Sequence, residues 1–262
     1  MNILVTNDDG IYADGLWAAV QELQKVGNVT VVAPDRDQSG AGTSVTLRLP
    51  LRLYKVDPKI PGVETFRLEG TPADCVIMAL RSAMKKDIDL VISGINEGSN
   101  LGNDVFISGT VGAAIQGYAY GIPSVAVSVS GFGKLYYGGA ARITAMLADA
   151  FKKGRIPRKT FLNVNLPNLK EREIKGIEVT CLGERSYVDR VDEGHDGKRE
   201  YYWIVRGIPE WSVVPGTDVW AMEANKISIM PFPGLGDFSV DSLIKEIESE
   251  LLGKTTGIKS SK

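Results

Sequence analysis

Residues 1–15 read MNILVTNDDGIYADG, and the fold turns on how this stretch is read. Ile3, Leu4 and Val5 form a short apolar run. Thr6, Asn7, the adjacent carboxylates Asp8 and Asp9, and Gly10 follow it. A short apolar run closed by glycine predicts a buried strand. In an open parallel sheet, ligands sit beyond the carboxyl ends of the strands, so two acids and a glycine at that place are candidate site residues. The plainer alternative is a turn, with Asp14 capping a helix from Gly15 onward.

Working outward, Leu16, Ala19, Val20 and Leu23 recur at helical spacing, and Gly27 ends that helix. Val29 to Ala33 is a second buried strand stopped by Pro34. Strand, helix and strand within so short a span predict a parallel sheet with a right-handed crossover. The polar, glycine-rich loop of residues 35–44, DRDQSGAGTS, then falls on the same sheet edge as Asp8 and Asp9. Val45 to Val56 and Thr65 to Leu68 read as antiparallel or edge strands. Thr71-Pro72-Ala73-Asp74 signals a helix start with a capping box, with Ala73, Ile77, Leu80 and Met84 as its apolar stripe.

Ile88 to Ser93 is the next strand, and it runs into a dense Gly, Asn and Asp stretch over residues 94–104. Ser108-Gly109-Thr110 then opens a helix rich in small residues. Free N–H groups and the positive dipole end at such a start favour an anion such as phosphate. Pro123 to Val129 and Phe161 to Leu166 read as strands, and residues 140–152 as a helix. The alternation fades beyond about residue 175. The expected division is therefore an α/β core over 1–175 and an extension over 176–262. The extension carries antiparallel strands at Ile177 to Leu182 and Tyr201 to Val205 around a charged loop of residues 183–200, then a helix near Val240 to Leu252 and a frayed tail. Trp211, Trp220 and Ile227 to Met230 suggest packing or a partner surface. His195 reads as a solvated loop residue.

Composition narrows the function. The formal net charge of −2 leaves no basic footprint for nucleic acid or an anionic membrane. No apolar run approaches the roughly 18 residues that span a bilayer. Residue 1 leads straight into a strand with no leader pattern, so a cytoplasmic location is expected. Cys75 and Cys181 read as two buried thiols rather than a disulfide, and with one histidine a Cys/His zinc site is improbable. Any metal would be hard and held by oxygens. Cys75 and Arg81 match the C-x5-R spacing of cysteine phosphatases, but the residues between them are apolar and helical, which excludes a phosphate loop. The sequence has no Walker A motif, no G-x-G-x-x-G after the first strand and no G-x-S-x-G elbow.

What remains is a convergence of polar clusters on one edge: Asp8-Asp9, Ser39 to Ser44, and Asn96 to Asp104, with Ser108 to Thr110 as an anion cradle. Two carboxylates with neutral oxygens suit magnesium or manganese. Such an ion beside an anion cradle points to phosphoester hydrolysis or phosphoryl transfer.

Four stretches carry a resemblance: ILVTNDDGI, APDRDQSGAGTSVT, GTPADCV and SGINEGSNLGNDVFISGTVGAA, with a weaker echo in GTDVWAMEANKISIMPF from Gly216. In these the chain resembles the survival protein SurE family of metal-dependent 5′-nucleotidases. The resemblance implies a Rossmann-like, mostly parallel sheet with helices on both faces and a C-terminal extension. It implies a phosphatase for nucleoside 5′-monophosphates, extending to 3′-monophosphates and in some members polyphosphate. One divalent cation per subunit, Mg2+ or Mn2+, would be held by Asp8, Asp9, Ser39 and Asn96. Asp8 and Asp9 would be catalytic, and Asn96, Ser108, Gly109 and Thr110 would meet the phosphate. It also implies a homodimer or homotetramer, often with an exchanged C-terminal helix; core packing of the helix near Val240 to Leu252 is the equal alternative. The family often carries Tyr where Phe106 or Ile107 stands here. Water or an Asp carboxylate would attack the phosphorus. Two competing readings use the same groups: a nucleotide-binding regulatory module without turnover, and a sugar-nucleotide transferase.

Overall fold

The structure, a computed structural model, describes residues 1–83, 87–131, 133–187, 189–205, 207, 209–232 and 241–253. The first strand is β1 (Asn2–Thr6), followed by α1 (Asp14–Leu23) and β2 (Asn28–Pro34). Ala13, not Asp14, is the N-cap of α1, and it makes no side-chain cap bond; Asp14 is the first helical residue, where its charge favours the dipole. After the loop of residues 35–44 the chain adds β3 (Leu53–Lys55), β4 (Glu64–Leu68) and α2 (Pro72–Met78), which continues as one π turn, Ala79–Ala83. Then come β5 (Leu90–Glu97), a 3₁₀ turn (Gly102–Phe106), α3 (Gly109–Ala119), β6 (Ser124–Val129), α4 (Tyr137–Lys152) and β7 (Phe161–Leu166). The remainder holds β8 (Ile177–Val179), β9 (Arg185–Tyr187), β10 (Arg190–His195), β11 (Glu200–Val205), β12 (Pro209–Trp211), α5 (Asp218–Glu223), β13 (Ile227–Phe232) and α6 (Asp241–Leu252).

Nine strands form one sheet in the order β3-β4-β2-β1-β5-β6-β7-β13-β8. Six of them, β4 through β7 in that order, are parallel, as the β-α-β reading requires. β3 pairs antiparallel to β4 and β13 antiparallel to β7, and β8 runs parallel to β13. The chain first builds outward from β1 through β2, then returns to β1's other side with β5. The strand order therefore reverses at the β1/β5 pair, which is the crevice where open α/β sheets bind ligands.

Side-chain alternation in β1 divides the core. Ile3 and Val5 join the cluster covered by α1, α4 and α6, while Leu4 joins Val32, Leu68 and Val91 under α2 and α3. Helices thus cover both faces. In α6, Leu243, Ile244, Ile247 and Leu251 are buried, and the helix packs on α4 of its own chain. No helix among the described residues is long and apolar enough to cross a membrane.

Several expectations are corrected. Residues 45–52 form no strand, and β4 is parallel to β2 rather than antiparallel; only β3 is an antiparallel edge strand. β5 does not end at Ser93 but runs through Gly94-Ile95-Asn96-Glu97, with a bulge against β6 between Ser93 and Asn96. The buried face of α2 uses Ala73, Val76 and Ala79, while Ile77 and Leu80 are half-buried; Met84 lies outside the described residues. The charged loop of 183–200 contains β9 and β10, and β10–β11 is a two-stranded ribbon separate from the main sheet. His195 ends β10 and is exposed, its Nδ1 accepting the Gly197 N–H at 2.9 Å. Cys75 is buried, but Cys181 is exposed; it lies outside the main sheet, in an isolated bridge to Thr217. Val240 and the tail after 253 lie outside the described residues. β8 and β13, both beyond residue 175, hydrogen-bond into the same sheet as the earlier strands.

Because α6 seals the α4 face, Ile247→Ala is expected to cost about 2–5 kcal/mol. The check is a urea titration, read as a lower midpoint at unchanged slope. An unshifted midpoint would mean that α6 contributes nothing to this core.

Candidate metal and phosphate site

Each expected cluster lies at a carboxyl end of β1, β2 or β5, three adjacent parallel strands, so all face one edge. Asp8 is 3% exposed. Its Oδ1 accepts a short hydrogen bond from the Thr110 hydroxyl, and its backbone carbonyl accepts the Gln38 N–H at 2.8 Å. One residue is thereby tied to the start of α3 and to the 35–44 loop together. Asn7 steadies the turn from below, its Nδ2 donating to the Gly10 carbonyl at 2.9 Å.

The approach of α3 is close enough to exclude side chains. A Cβ on Gly109 would lie 2.8 Å from the Asp8 Cβ, and one on Gly112 would lie 2.0 Å from the Gly42 carbonyl oxygen. The small residues read from sequence are therefore a steric requirement of the site. Ser108 is the N-cap of α3, its Oγ accepting the Val111 N–H at 3.2 Å. Gly109 and Thr110 begin the helix beside Asp8, so the three cradle residues and the acid are in one place.

Asp9 accepts the Glu97 N–H at 3.3 Å, which joins the ends of β1 and β5. Asn96, one residue earlier, is buried. Its Nδ2 donates to the carbonyls of Gly98 at 2.7 Å and Glu97 at 3.3 Å, which leaves Oδ1 as the end available to a cation. Ser39 is exposed at its loop, where its N–H and Oγ–H both donate to Asp37 Oδ1, at 2.7 and 2.6 Å. Its hydroxyl proton is engaged by Asp37, so the oxygen's lone pairs remain for another partner. Ser39 makes no bond to Asp8 or Asp9; its neighbour Gln38 makes the contact.

The electrostatics of the pair are unfavourable without a cation. Burial pushes the Asp8 carboxyl above its ordinary value, and the Thr110 hydroxyl and N–H only partly oppose it. Burial, then the charge of Asp8, push Asp9 up to about 7, against the Glu97 N–H; Asp37 and Glu97 add further negative charge. Two acids, one hydroxyl and one amide oxygen are hard donors, and a divalent ion would convert this repulsion into attraction. The donor chemistry therefore fits a hard cation. Among the described residues no group of three or more His, Cys, Asp or Glu is arranged for a metal, which fits a set with only two carboxylates.

Sequence reading missed the braces. Asp74 caps α2 and also accepts the Thr46 N–H at 2.9 Å, while Thr71 donates to the Ser44 carbonyl at 2.7 Å. The capping box thus also anchors the 35–44 loop. Asn163 and Asn165 of β7 donate to the Asn100 carbonyl, and Asn100 donates to Ser128, fixing the loop after β5. The N-V-N pattern inside an apolar strand was the available signal. Asp37, Gln38 and Glu97 also bond within the site, and no local pattern marks them.

Fold and site together define an α/β protein with paired acids and neutral oxygens at its topological switch point, next to the N-terminus of α3. The sequence model for the family described as survival protein SurE matches residues 3–189, and the chain belongs to this family. It is 50% identical over 231 residues to the 5′-nucleotidase SurE of Dehalococcoides mccartyi strain 195, covering 87% of each chain. It is 41% identical over 254 residues to the 5′-nucleotidase SurE of Heliobacterium modesticaldum, covering 97% of this chain and 93% of the relative. The crystal structure of the SurE protein from Aquifex aeolicus aligns with a TM-score of 0.74 at 40% identity, covering 95% of this chain and 99% of that one.

The cost of burying two adjacent carboxylates, raised further by their repulsion, can be measured. A carboxyl whose folded pKa is raised costs stability wherever the unfolded chain would ionise it, from about pH 4 upward. At pH 8, metal-free Asp9→Asn is expected to melt about 2–4 °C above wild type, the shift that about 1 kcal/mol gives in a chain of this size. Added Mn2+ is expected to raise the melting temperature of wild type and not of the variant. Equal metal-free values by calorimetry would show that the pair carries no such penalty.

Proposed function

We propose that the chain is a divalent-metal-dependent phosphatase that hydrolyses nucleoside 5′-monophosphates to nucleoside and inorganic phosphate. The observation that carries this reading is Asp8, joined at once to the anion cradle through Thr110 and to the Ser39 loop through Gln38. Family membership and the nucleotidase names of the relatives support it.

Asp8, Asp9, Ser39 and Asn96 would hold one Mg2+ or Mn2+ per subunit. When bound, such an ion supplies positive charge to a phosphoryl oxygen and lowers the pKa of water. The Gly109 N–H and the Ser108 hydroxyl meet the remaining phosphate charge together with Asn96, while Thr110, whose hydroxyl and N–H both donate to Asp8, holds that acid beside the phosphate. Asp8 and Asp9 orient the attacking water. Thr110 already occupies one oxygen of the buried Asp8, which favours water over Asp8 as the attacking group. Water adds to phosphorus, the bond from phosphorus to the nucleoside O5′ breaks, and O5′ takes up a proton. Phe106, 63% exposed and two residues before Ser108, offers a ring to the base. Because the cradle grips phosphate itself, 3′-monophosphates and the terminal phosphate of polyphosphate enter the same site as secondary substrates.

The extension over 176–262 serves as an oligomerisation arm in this reading. The β10–β11 ribbon exposes Trp203 at 66% and Ile204 at 78%, and alternation puts these two residues on opposite faces. A lone two-stranded ribbon with apolar groups on both faces is marginal in water, so a second copy covers it in a homodimer or homotetramer. The core packing of α6 favours this ribbon over the terminal helix as the exchanged element. Ile204→Glu is expected to shift the particle to the monomer mass in light scattering; an unchanged mass would remove the ribbon from the interface.

For the activity, wild type with Mn2+ is expected to release phosphate from AMP or GMP, and EDTA to stop it. Asp8→Asn is expected to lower kcat at least about 100-fold while the fold persists by circular dichroism. Tight nucleotide binding without phosphate release would instead make the chain a regulatory module, and full activity in Asp8→Asn would remove that residue from the chemistry.

A further inference from the structure

One buried side chain of the extension bonds to the turn that leads into the phosphate cradle. Asp218, at the start of α5, is fully buried. Its Oδ2 accepts the Gly102 N–H at 2.9 Å, and its Oδ1 accepts the N–H groups of Gly183 and Val219, both at 2.8 Å. Capping of α5 does not require it, because the Thr217 hydroxyl already accepts the Trp220 N–H at 3.2 Å. Two of the three bonds leave the helix for two loops distant in sequence.

Gly102 opens the 3₁₀ turn that ends at Phe106. Within that turn the Asp104 carbonyl accepts the N–H groups of Ile107 at 3.1 Å and Ser108 at 3.0 Å, and the Ile107 carbonyl accepts the Gly42 N–H at 3.0 Å. From Gly102 to Ser108 the backbone is one hydrogen-bonded unit, and it ends at the cradle. Gly183 stands two residues before β9, at the root of the segment that carries the β10–β11 ribbon. A buried carboxylate bonded to several N–H groups makes strong, charge-assisted contacts and fixes its partners in place.

We propose that Asp218 is a positioning residue for the phosphate cradle, and that through Gly183 it couples the root of the ribbon to that cradle. The inference rests on the phosphatase reading for its meaning, but phosphate binding can be measured without turnover.

The experiment compares wild type, Asp218→Asn, Thr217→Ala and Gly183→Ala. Each is assayed for AMP hydrolysis with Mn2+, for the Kd of inorganic phosphate by calorimetry, for the Mn2+ concentration giving half-maximal activity, and for the urea midpoint. Asp218→Asn keeps one acceptor oxygen and sets an N–H against an N–H. It is expected to weaken phosphate binding and raise KM about tenfold, the size of typical site-to-site coupling, at an unchanged Mn2+ requirement. Thr217→Ala lowers the urea midpoint through lost capping and leaves phosphate Kd unchanged. Gly183→Ala, whose Cβ would lie 2.7 Å from Asp218 Oδ1, is expected to shift phosphate Kd in the same direction as Asp218→Asn. If Asp218→Asn binds phosphate as Thr217→Ala does, the inference is overturned. If Asp218→Asn does not fold, Gly183→Ala decides, and a wild-type phosphate Kd there overturns it equally. A wild type that binds phosphate but releases none from AMP counts against the proposed activity, while the Kd comparison still tests Asp218.

Discussion

The hydrogen bond from Thr110 to the buried carboxylate of Asp8 is the contact on which the rest of the crevice depends. A carboxylate removed from water needs donors, and β1 alone supplies none. The donor comes from the start of a helix a hundred residues later, which must approach until it nearly touches the Asp8 side chain. That approach allows no side chain at residue 109 and none at residue 112, where the Gly42 carbonyl crosses the helix. Burial, glycine placement and the path of the 35–44 loop are thus consequences of one closure.

Such a closure is stable only if the loops that meet there are held elsewhere. The 35–44 loop is held at its far end by Asp74 and Thr71, so the α2 cap has two tasks. The chain after β5 is held by Asn100, Asn163, Asn165 and Ser128, a set of amides and a hydroxyl in the sheet interior. Replacing apolar strand residues with asparagines sacrifices hydrophobic burial, and their hydrogen bonds in return fix one arrangement, although the Asn163 Oδ1 is left without a partner. Here the arrangement they fix is the stretch leading from Asn96 to Ser108.

Local chemistry explains what could be read from the chain. The first strand, the α2 capping box and the Ser108 helix start depend on neighbours within a few residues, and all three stand as read. Asp8, Asp9 and the Ser108-Gly109-Thr110 run stood out because acids and a helix start at strand ends make poor packing material. β5 was read too short because Gly94 looked like a terminator, whereas it continues the strand through a bulge. Residues 45–52 alternate like a strand, but the Thr46 N–H goes to Asp74 of α2 instead of into a strand ladder. The antiparallel direction of β13 and the bonds of Asp218 arise from partners scores of residues away, and no local pattern encodes them.

The same distinction explains how an extension can matter to a site it does not line. β13 completes the sheet beyond β7, and α5, immediately before it, turns one carboxylate inward. The sheet position of β13 therefore fixes where Asp218 stands, and Asp218 fixes where the turn after Gly102 begins. A segment that alternates too weakly to be recognised as α/β core is thus bonded to it through the sheet and through one acid. The backbone from Gly102 to Ser108 is in turn tied together by the Asp104 carbonyl, so those bonds run without a break from α5 to the start of α3.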